Sequence, residues 1–199
     1  MEHDETAVIG RRGSQPKGVA RRQEILDRAI EVFRDRGADG TSLRRIAEAI
    51  GISHAALLHY FDSREQLLVA VYAHAEANRA EPADLVPGIE TMIHAAVRNV
   101  EVPGLVTLYS TLVAASLEGA GGVGREFFAT RFERLRAELT ASLRSQQAEG
   151  TVRDDVPAEH LAALIIAASD GLQIQWLLEP SVGLESTLRT LGALLRPPA

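Results

Sequence analysis

Apolar side chains recur at helical spacing along most of this chain, and the clearest repeat lies between Thr41 and Phe61. In TSLRRIAEAIGISHAALLHYF, Leu43, Ile46, Ala47 and Ile50 fall on one face of a short helix. Gly51 breaks it, because glycine takes a left-handed backbone without a Cβ clash. Ser53 can cap a second helix through its hydroxyl, and Leu57, Tyr60 and Phe61 give that helix an apolar edge. Ala47 and Gly51 are small where the two helices must cross. This is the layout of a helix-turn-helix, whose second helix is free to enter a major groove. An ordinary αα-hairpin shares much of the pattern, so the flanking chain has to decide between them.

Upstream, a helix is predicted from about Gly18 to Arg36, burying Ile25, Leu26, Ala29, Ile30 and Phe33, with Gly37 as its left-handed cap. Ala38 to Gly40 form a turn, and Thr41 caps the helix that carries Arg44 and Arg45. Downstream, Ser63 and Gln66 form a capping box that opens a fourth helix running to about Arg79. Pro82 and Pro87-Gly88 mark a loop. IETMIHAAVRNV is a fifth helix stopped by Pro103-Gly104, and LVTLYSTLVAASLE is a sixth. The glycines of GAGGVG at 119–124 predict a flexible connection. A long amphipathic seventh helix follows, with Phe128, Phe132, Leu135, Leu139 and Leu143 near one stripe.

AEHLAALIIAASDGLQIQWLLEP is the most apolar segment and reads as the eighth helix. Asp170, Gln173 and Gln175 interrupt it, and an aspartate in mid-span is costly in lipid, so a buried or interface helix is predicted and no membrane partner. The ninth runs from about Leu184 to Leu195. No sustained alternation suggests a strand. The fold class is therefore all-α with about nine helices. A disordered, basic-ended arm over 1–16 precedes a helix-turn-helix head over 17–63 and a helical body over 64–199.

Charge sharpens this division. The formal net charge is −6, yet residues 10–61 hold ten Arg or Lys against six Asp or Glu. Residues 62–199 hold eleven against eighteen. A basic head on an acidic body is the asymmetry of a protein that meets phosphate at one end only. The chain has no cysteine, which excludes disulfides and thiolate chemistry. With a start, MEHDETAVIG, that lacks an apolar stretch, this suits a reducing cytoplasm. The six histidines form no HxxxH or HxH pair, so solvated or core roles are expected for each, His74 and His94 included. No GxSxG elbow, phosphate loop or dinucleotide fingerprint is present. No enzyme activity, catalytic residue, metal or cofactor is expected.

AIEVFRDRG, TSLRRIAEAIGIS and LLHYFDSREQLL, in this order and spacing, resemble the TetR (tetracycline-repressor) family of bacterial transcription regulators over the first third of the chain. The remainder resembles it in its helical layout and in DGLQIQWLLEP, which is similar to the segment before the last helix in many members. The resemblance implies a homodimer that binds operator DNA through its three N-terminal helices, and a body that holds a small molecule and the partner. By position it carries Ser53, His54, Ala55 and Ala56 to the base-reading front of the recognition helix. Thr41, His59, Tyr60 and Arg64 correspond to phosphate-contacting positions. The basic cluster adds Lys17, Arg44 and Arg45 as candidate DNA contacts. Two departures stand out: His54 and Ala55 replace a frequent basic residue and glycine, and Leu58 replaces a frequent tyrosine. Base readout then rests on few polar groups, with part of the specificity carried by DNA shape.

The expected ligand site draws on Met92, Tyr109, Leu112, Phe128, Phe132 and Trp176 around His94 and Ser169. Its occupant is expected to be apolar or aromatic, because few charged residues lie on the inward stripes. The expected dimer interface uses Ile166, Asp170, Gly171 and Ile174 of the eighth helix and Leu188, Leu191 and Leu195 of the ninth. The function expected is a repressor released from its operator by a small molecule. The alternatives are a helical interaction protein that retains the head, or an activator or orphan regulator without a ligand.

Overall fold

Nine helices and no strand make up the described residues, 16–36, 43–78, 88–118 and 121–197, of the computed structural model. They are α1 (Pro16–Arg36), α2 (Leu43–Ile50), α3 (His54–Leu58), α4 (Arg64–Ala77), α5 (Ile89–Glu101), α6 (Leu105–Glu118), α7 (Val123–Ala148), α8 (Ala158–Leu178) and α9 (Leu184–Leu194). The expectations for the arm before Pro16, the Gly37 cap, Thr41, and the loop at Pro82 and Pro87 lie outside the described residues. So do those for the side chains of Lys17 and Phe33.

The turn between α2 and α3 follows from its residues. Gly51 has φ +75°, its N–H reaches the Glu48 carbonyl at 3.2 Å, and the Ile52 N–H reaches the Ala47 carbonyl at 2.9 Å. That pair of bonds is a Schellman ending, which requires the left-handed residue that glycine supplies. Arg28 of α1 donates to the Ile50 carbonyl at 2.9 Å and so satisfies a further free carbonyl at the same helix end. The Ser53 hydroxyl accepts from the Ala56 N–H at 3.0 Å and starts α3. Ser63 does the same for α4 through the Gln66 N–H at 3.0 Å. The Gln66 carboxamide oxygen reaches back to the N–H of Asp62, one residue earlier than a standard capping box places it.

One apolar core joins head and body. Ile25, Leu26, Ile46, Ile50, Leu57 and Phe61 continue without a break through Leu67, Leu68 and Tyr72 of α4 to Leu108, Leu112 and Phe128. α4 packs against α1 on one side and against α6 and α7 on the other. It is therefore the rod that connects the two halves. Two further clusters hold the far end of the body, one among α7, α8 and α9 and one among α5, α8 and α9.

The glycine-rich run at 119–124 departs from expectation. Val123 and Gly124 already belong to α7, and Gly124 is buried, so this part is helix rather than flexible connection. The Gly124 N–H donates to the Glu65 carboxylate at 2.9 Å, and a Cβ there would stand 2.7 Å from that oxygen. The glycine admits a carboxylate to the positive end of α7, which composition alone does not reveal.

By length and composition α8 could cross a membrane, with a mean hydropathy of 1.5 over its most apolar window. It packs instead against α5, α7 and α9 and buries Ser169 and Gln173 in hydrogen bonds within the body.

Candidate DNA interface and effector cavity

α3 is anchored by Leu57, which is fully buried, and it turns His54, Ala55, Ala56 and His59 outward. Tyr60 is half-buried, with its ring edge-on to His59 at 5.3 Å. Phe61 is buried beneath the Arg22 guanidinium, 4.8 Å from its ring centre. Arg44 stands in the open and pairs with Glu48 at 3.1 Å along α2, an exposed contact that phosphate can replace at little cost. Arg45 and Arg64 are exposed as well. The Ser53 hydroxyl serves as the cap of α3, so its role is structural whatever else it touches. Within α3, His54 is the one outward polar side chain long enough to reach a base edge, and His59 follows just past the helix end. Leu58 is also exposed, at 40%.

The body encloses a cavity of about 510 Å³. α4 contributes Tyr72, Ala73, Glu76 and Ala77, and α5 contributes Thr91, Met92, Ala95, Ala96 and Asn99. Tyr109 comes from α6; Phe127, Arg131, Arg134, Leu135 and Glu138 come from α7; Ile166, Ser169, Asp170 and Gln173 come from α8. Of the residues expected at a ligand site, Met92, Tyr109 and Ser169 line it. The others do not. Phe128 and Leu112 are packed in the core behind Tyr109, and Phe132 packs beside Arg131, 5.8 Å from its guanidinium. Trp176 faces a separate groove with Val97 and Val182. His94 lies outside the lining, with its Nε2 buried and unpartnered.

The cavity wall carries more charge than the few inward charged residues expected from the sequence. Arg131 pairs with Glu76 at 2.8 Å while only 11% and 19% of their side chains are exposed, and the Tyr72 and Tyr109 rings stack beside the guanidinium. Burial costs Arg131, but Tyr72 and Glu76 more than compensate and hold it charged above the usual arginine range. The Tyr109 hydroxyl donates to Asp170 at 3.0 Å. Burial, reinforced by the Asp170 charge, raises the Tyr109 phenol well above its usual range. Asn99 donates to Gln173 at 2.9 Å, and Gln173 donates in turn to the Ser169 carbonyl at 3.2 Å. Sequence reasoning missed Glu76, Arg131 and Gln173, which helical periodicity marks only as polar interruptions.

Burial also raises the Asp170 carboxyl above the usual aspartate range, with the Tyr109 hydroxyl and Arg131 opposing it in part. Its ionised form therefore costs the folded state free energy. That cost is absent below the ordinary aspartate range and grows as pH rises through the raised value. Asp170→Asn keeps an acceptor for Tyr109 and removes the titration. The variant is expected to melt above the parent at neutral pH, and the difference should close as pH falls through the carboxylate range. Thermal melts across pH test this, and a less stable variant at neutral pH would contradict it.

α4 touches both regions. Its first turn follows α3 directly, and there Glu65 is held by the N-terminus of α7; one face of its last turns is cavity wall. On its outer side, His74 Nε2 lies 2.6 Å from Asp27 of α1 and within reach of Asn78. His74 and His94 do not converge, and among the described residues no three His, Asp or Glu side chains gather as metal ligands do.

The residues expected at a dimer interface divide between two faces. Gly171 and Ile174 lie on the open side of α8 with Leu164 and Leu178, which are 57% and 84% exposed. Leu191 is half-buried. Leu188 and Leu195 are buried in the protomer's own core, and Ile166 and Asp170 turn into the cavity. None of these four presents its side chain on the open side of α8 or α9. α8 is apolar nearly all round, so periodicity could not separate its inner face from its outer one.

Residues 25–71 match the family described as bacterial regulatory proteins of the tetR family, and residues 122–196 match the C-terminal domain of BetI-type transcriptional repressors. The HTH-type transcriptional repressor Rv1474c of Mycobacterium tuberculosis is 31% identical over 154 residues, covering 77% of this chain and 81% of that protein. Among solved structures, a TetR-family regulator from Rhodococcus sp. superposes with a TM-score of 0.70 at 20% identity, over 88% of this chain and 98% of that one. A regulator from Saccharomonospora viridis, solved in complex with choline, superposes with a TM-score of 0.65 at 21% identity, over 88% and 95%.

Proposed function

This chain belongs to the TetR family of bacterial transcription regulators, and from that membership we propose that it binds its operator as a homodimer and leaves it when a small molecule fills the body cavity. It is a helix-turn-helix DNA-binding regulator that acts on DNA in the cytoplasm, and its relatives' role assigns it to repression. The observation that carries the release mechanism is the position of α4, a single helix with one end beside α3 and four residues in the cavity wall. A dimer reads two half-sites only when its recognition helices stand at the groove repeat, about 34 Å or a multiple of it. An occupant that displaces the cavity end of α4 changes that spacing without touching DNA. The Saccharomonospora viridis regulator, solved with choline in the same fold, supports a small-molecule occupant.

The exposed stripe of Leu164, Gly171, Ile174 and Leu178 on α8, with Leu194 of α9 at 64% exposure, is the surface assigned to the partner. In the head, Lys17, Thr41, Arg44, Arg45, His59, Tyr60 and Arg64 are assigned to phosphate. Ser53, His54, Ala55 and Ala56 face the bases. A gel shift with DNA flanking the chain's own coding region tests operator binding. No shift at low salt, with the protein folded and dimeric, would overturn the reading.

Phosphate contacts position a protein without specifying sequence, whereas base contacts discriminate. Arg44→Ala is therefore expected to cost roughly 1 kcal/mol on any operator variant. His54→Ala should cost about 1–3 kcal/mol on one variant and little on another that differs at the contacted base pair. Binding curves on two operator variants separate the two effects. An equal loss on both for His54→Ala would remove its base-reading role.

A further inference from the structure

We propose that the effector is an organic cation, a protonated amine on an aromatic or apolar body, with its charge seated at Asp170. The proposal deepens the release reading above and rests on it for the cavity's regulatory role. Among the described residues, the charged groups of the cavity wall pair unequally. Glu76 holds Arg131 at 2.8 Å, and Glu138 holds Arg134 at 3.4 Å. Asp170 has only the neutral Tyr109 hydroxyl, at 3.0 Å, so the wall carries three carboxylates against two guanidiniums. Arg131 lies close enough to Tyr109 to temper the Asp170 charge, but its hydrogen bond goes to Glu76.

A buried carboxylate with one neutral donor is under-compensated, and a cation placed against it gains more there than in water. An anionic occupant would add a fourth negative charge to the same space. A neutral apolar one would strip the remaining water from Asp170 and return nothing. A second acceptor in the same wall is also under-satisfied, with its oxygen shielded from the open space. Gln173 is fixed by donating to the Ser169 carbonyl, which makes its oxygen the acceptor for the Asn99 amide. The Asn99 carbonyl oxygen is thereby left buried with no donor. The Asp170 carboxylate, with one neutral donor, favours an amine that keeps its N–H groups. The rings of Tyr72, Tyr109 and Phe127 supply the apolar wall for its body.

Three probes share one ring system and differ in charge: 1-naphthylmethylamine, 1-naphthylmethanol and 1-naphthoate. Calorimetric titration of the full chain is expected to show the amine binding at least about tenfold tighter than the alcohol, with the naphthoate weakest. Asp170→Asn should bring amine and alcohol to within about twofold of each other. The proposal is overturned if the amine fails to bind, if it binds no tighter than the alcohol, or if its preference survives Asp170→Asn. The release reading fails separately. An amine that binds with this preference yet leaves operator affinity unchanged keeps the cation and removes the mechanism. Operator release by the alcohol or the naphthoate alone keeps the mechanism and removes the cation.

Discussion

Gly171→Arg is expected to sediment as a monomer and to lose operator binding while keeping its helical content. Beyond its own helix backbone, no atom lies within 4 Å of a Cβ built at Gly171, so a side chain there starts on an open side of the protomer. Replacing a mid-helix glycine also favours the helix, by roughly 1 kcal/mol. Within one subunit the substitution should therefore be neutral or mildly stabilising. Its neighbours on the open side of α8 are Ile174 and, a turn away, Leu178, both large, apolar and exposed. If a second copy covers this stripe, the arginine is driven into an apolar interface without a counter-charge. Such an uncompensated charge costs about 3–5 kcal/mol, which weakens dimerisation by roughly two to four orders of magnitude. Sedimentation at micromolar concentration reads this directly. A variant that remains dimeric would place the interface elsewhere.

The second large effect is on stability. Arg131→Ala is expected to destabilise the fold by about 3 kcal/mol, because Glu76 loses its partner while remaining mostly buried. The guanidinium also packs within 6 Å of the ring centres of Tyr72, Tyr109 and Phe132, and those contacts vanish with it. For a chain of this size the loss corresponds to a melting point lower by roughly 6–12 °C. Arg131→Met combined with Glu76→Leu should recover most of it, since an apolar pair of similar volume avoids the desolvation of both ions. A double variant as unstable as the single one would show that packing, not the uncompensated charge, dominates.

What the sequence made legible depended on how far apart the partners lie along it. The Gly51 ending, the Ser53 and Ser63 caps and the apolar faces of α1 and α2 are set by residues within five positions of each other, and each formed as its local chemistry required. The cavity was different. Its Arg131–Glu76 and Tyr109–Asp170 pairs are separated by 55 and 61 residues, and helical periodicity carries no information at that range. Asp170 read as an interface residue because both faces of α8 are apolar, and only the packing of α5, α6 and α7 shows which one is covered. The glycines at 122–124 read as a flexible connection because their real constraint, the approach of Glu65, arrives from another helix.

The central claim is that the body sets the spacing of two heads, and the distance between the heads tests it most directly. The chain has no cysteine, so Ala49→Cys, exposed on α2 and outside the residues assigned to DNA, places a single spin label on each head. Ala73 lies on α4 in the cavity wall, and Ala73→Trp fills the cavity from that helix without any effector. Electron–electron resonance on the labelled dimer with operator should give one narrow distance, because the operator holds the recognition helices about 34 Å or a whole multiple apart. The same dimer carrying Ala73→Trp should show a displaced distance and bind operator weakly. An unchanged distance and full operator affinity in the filled protein would contradict the account.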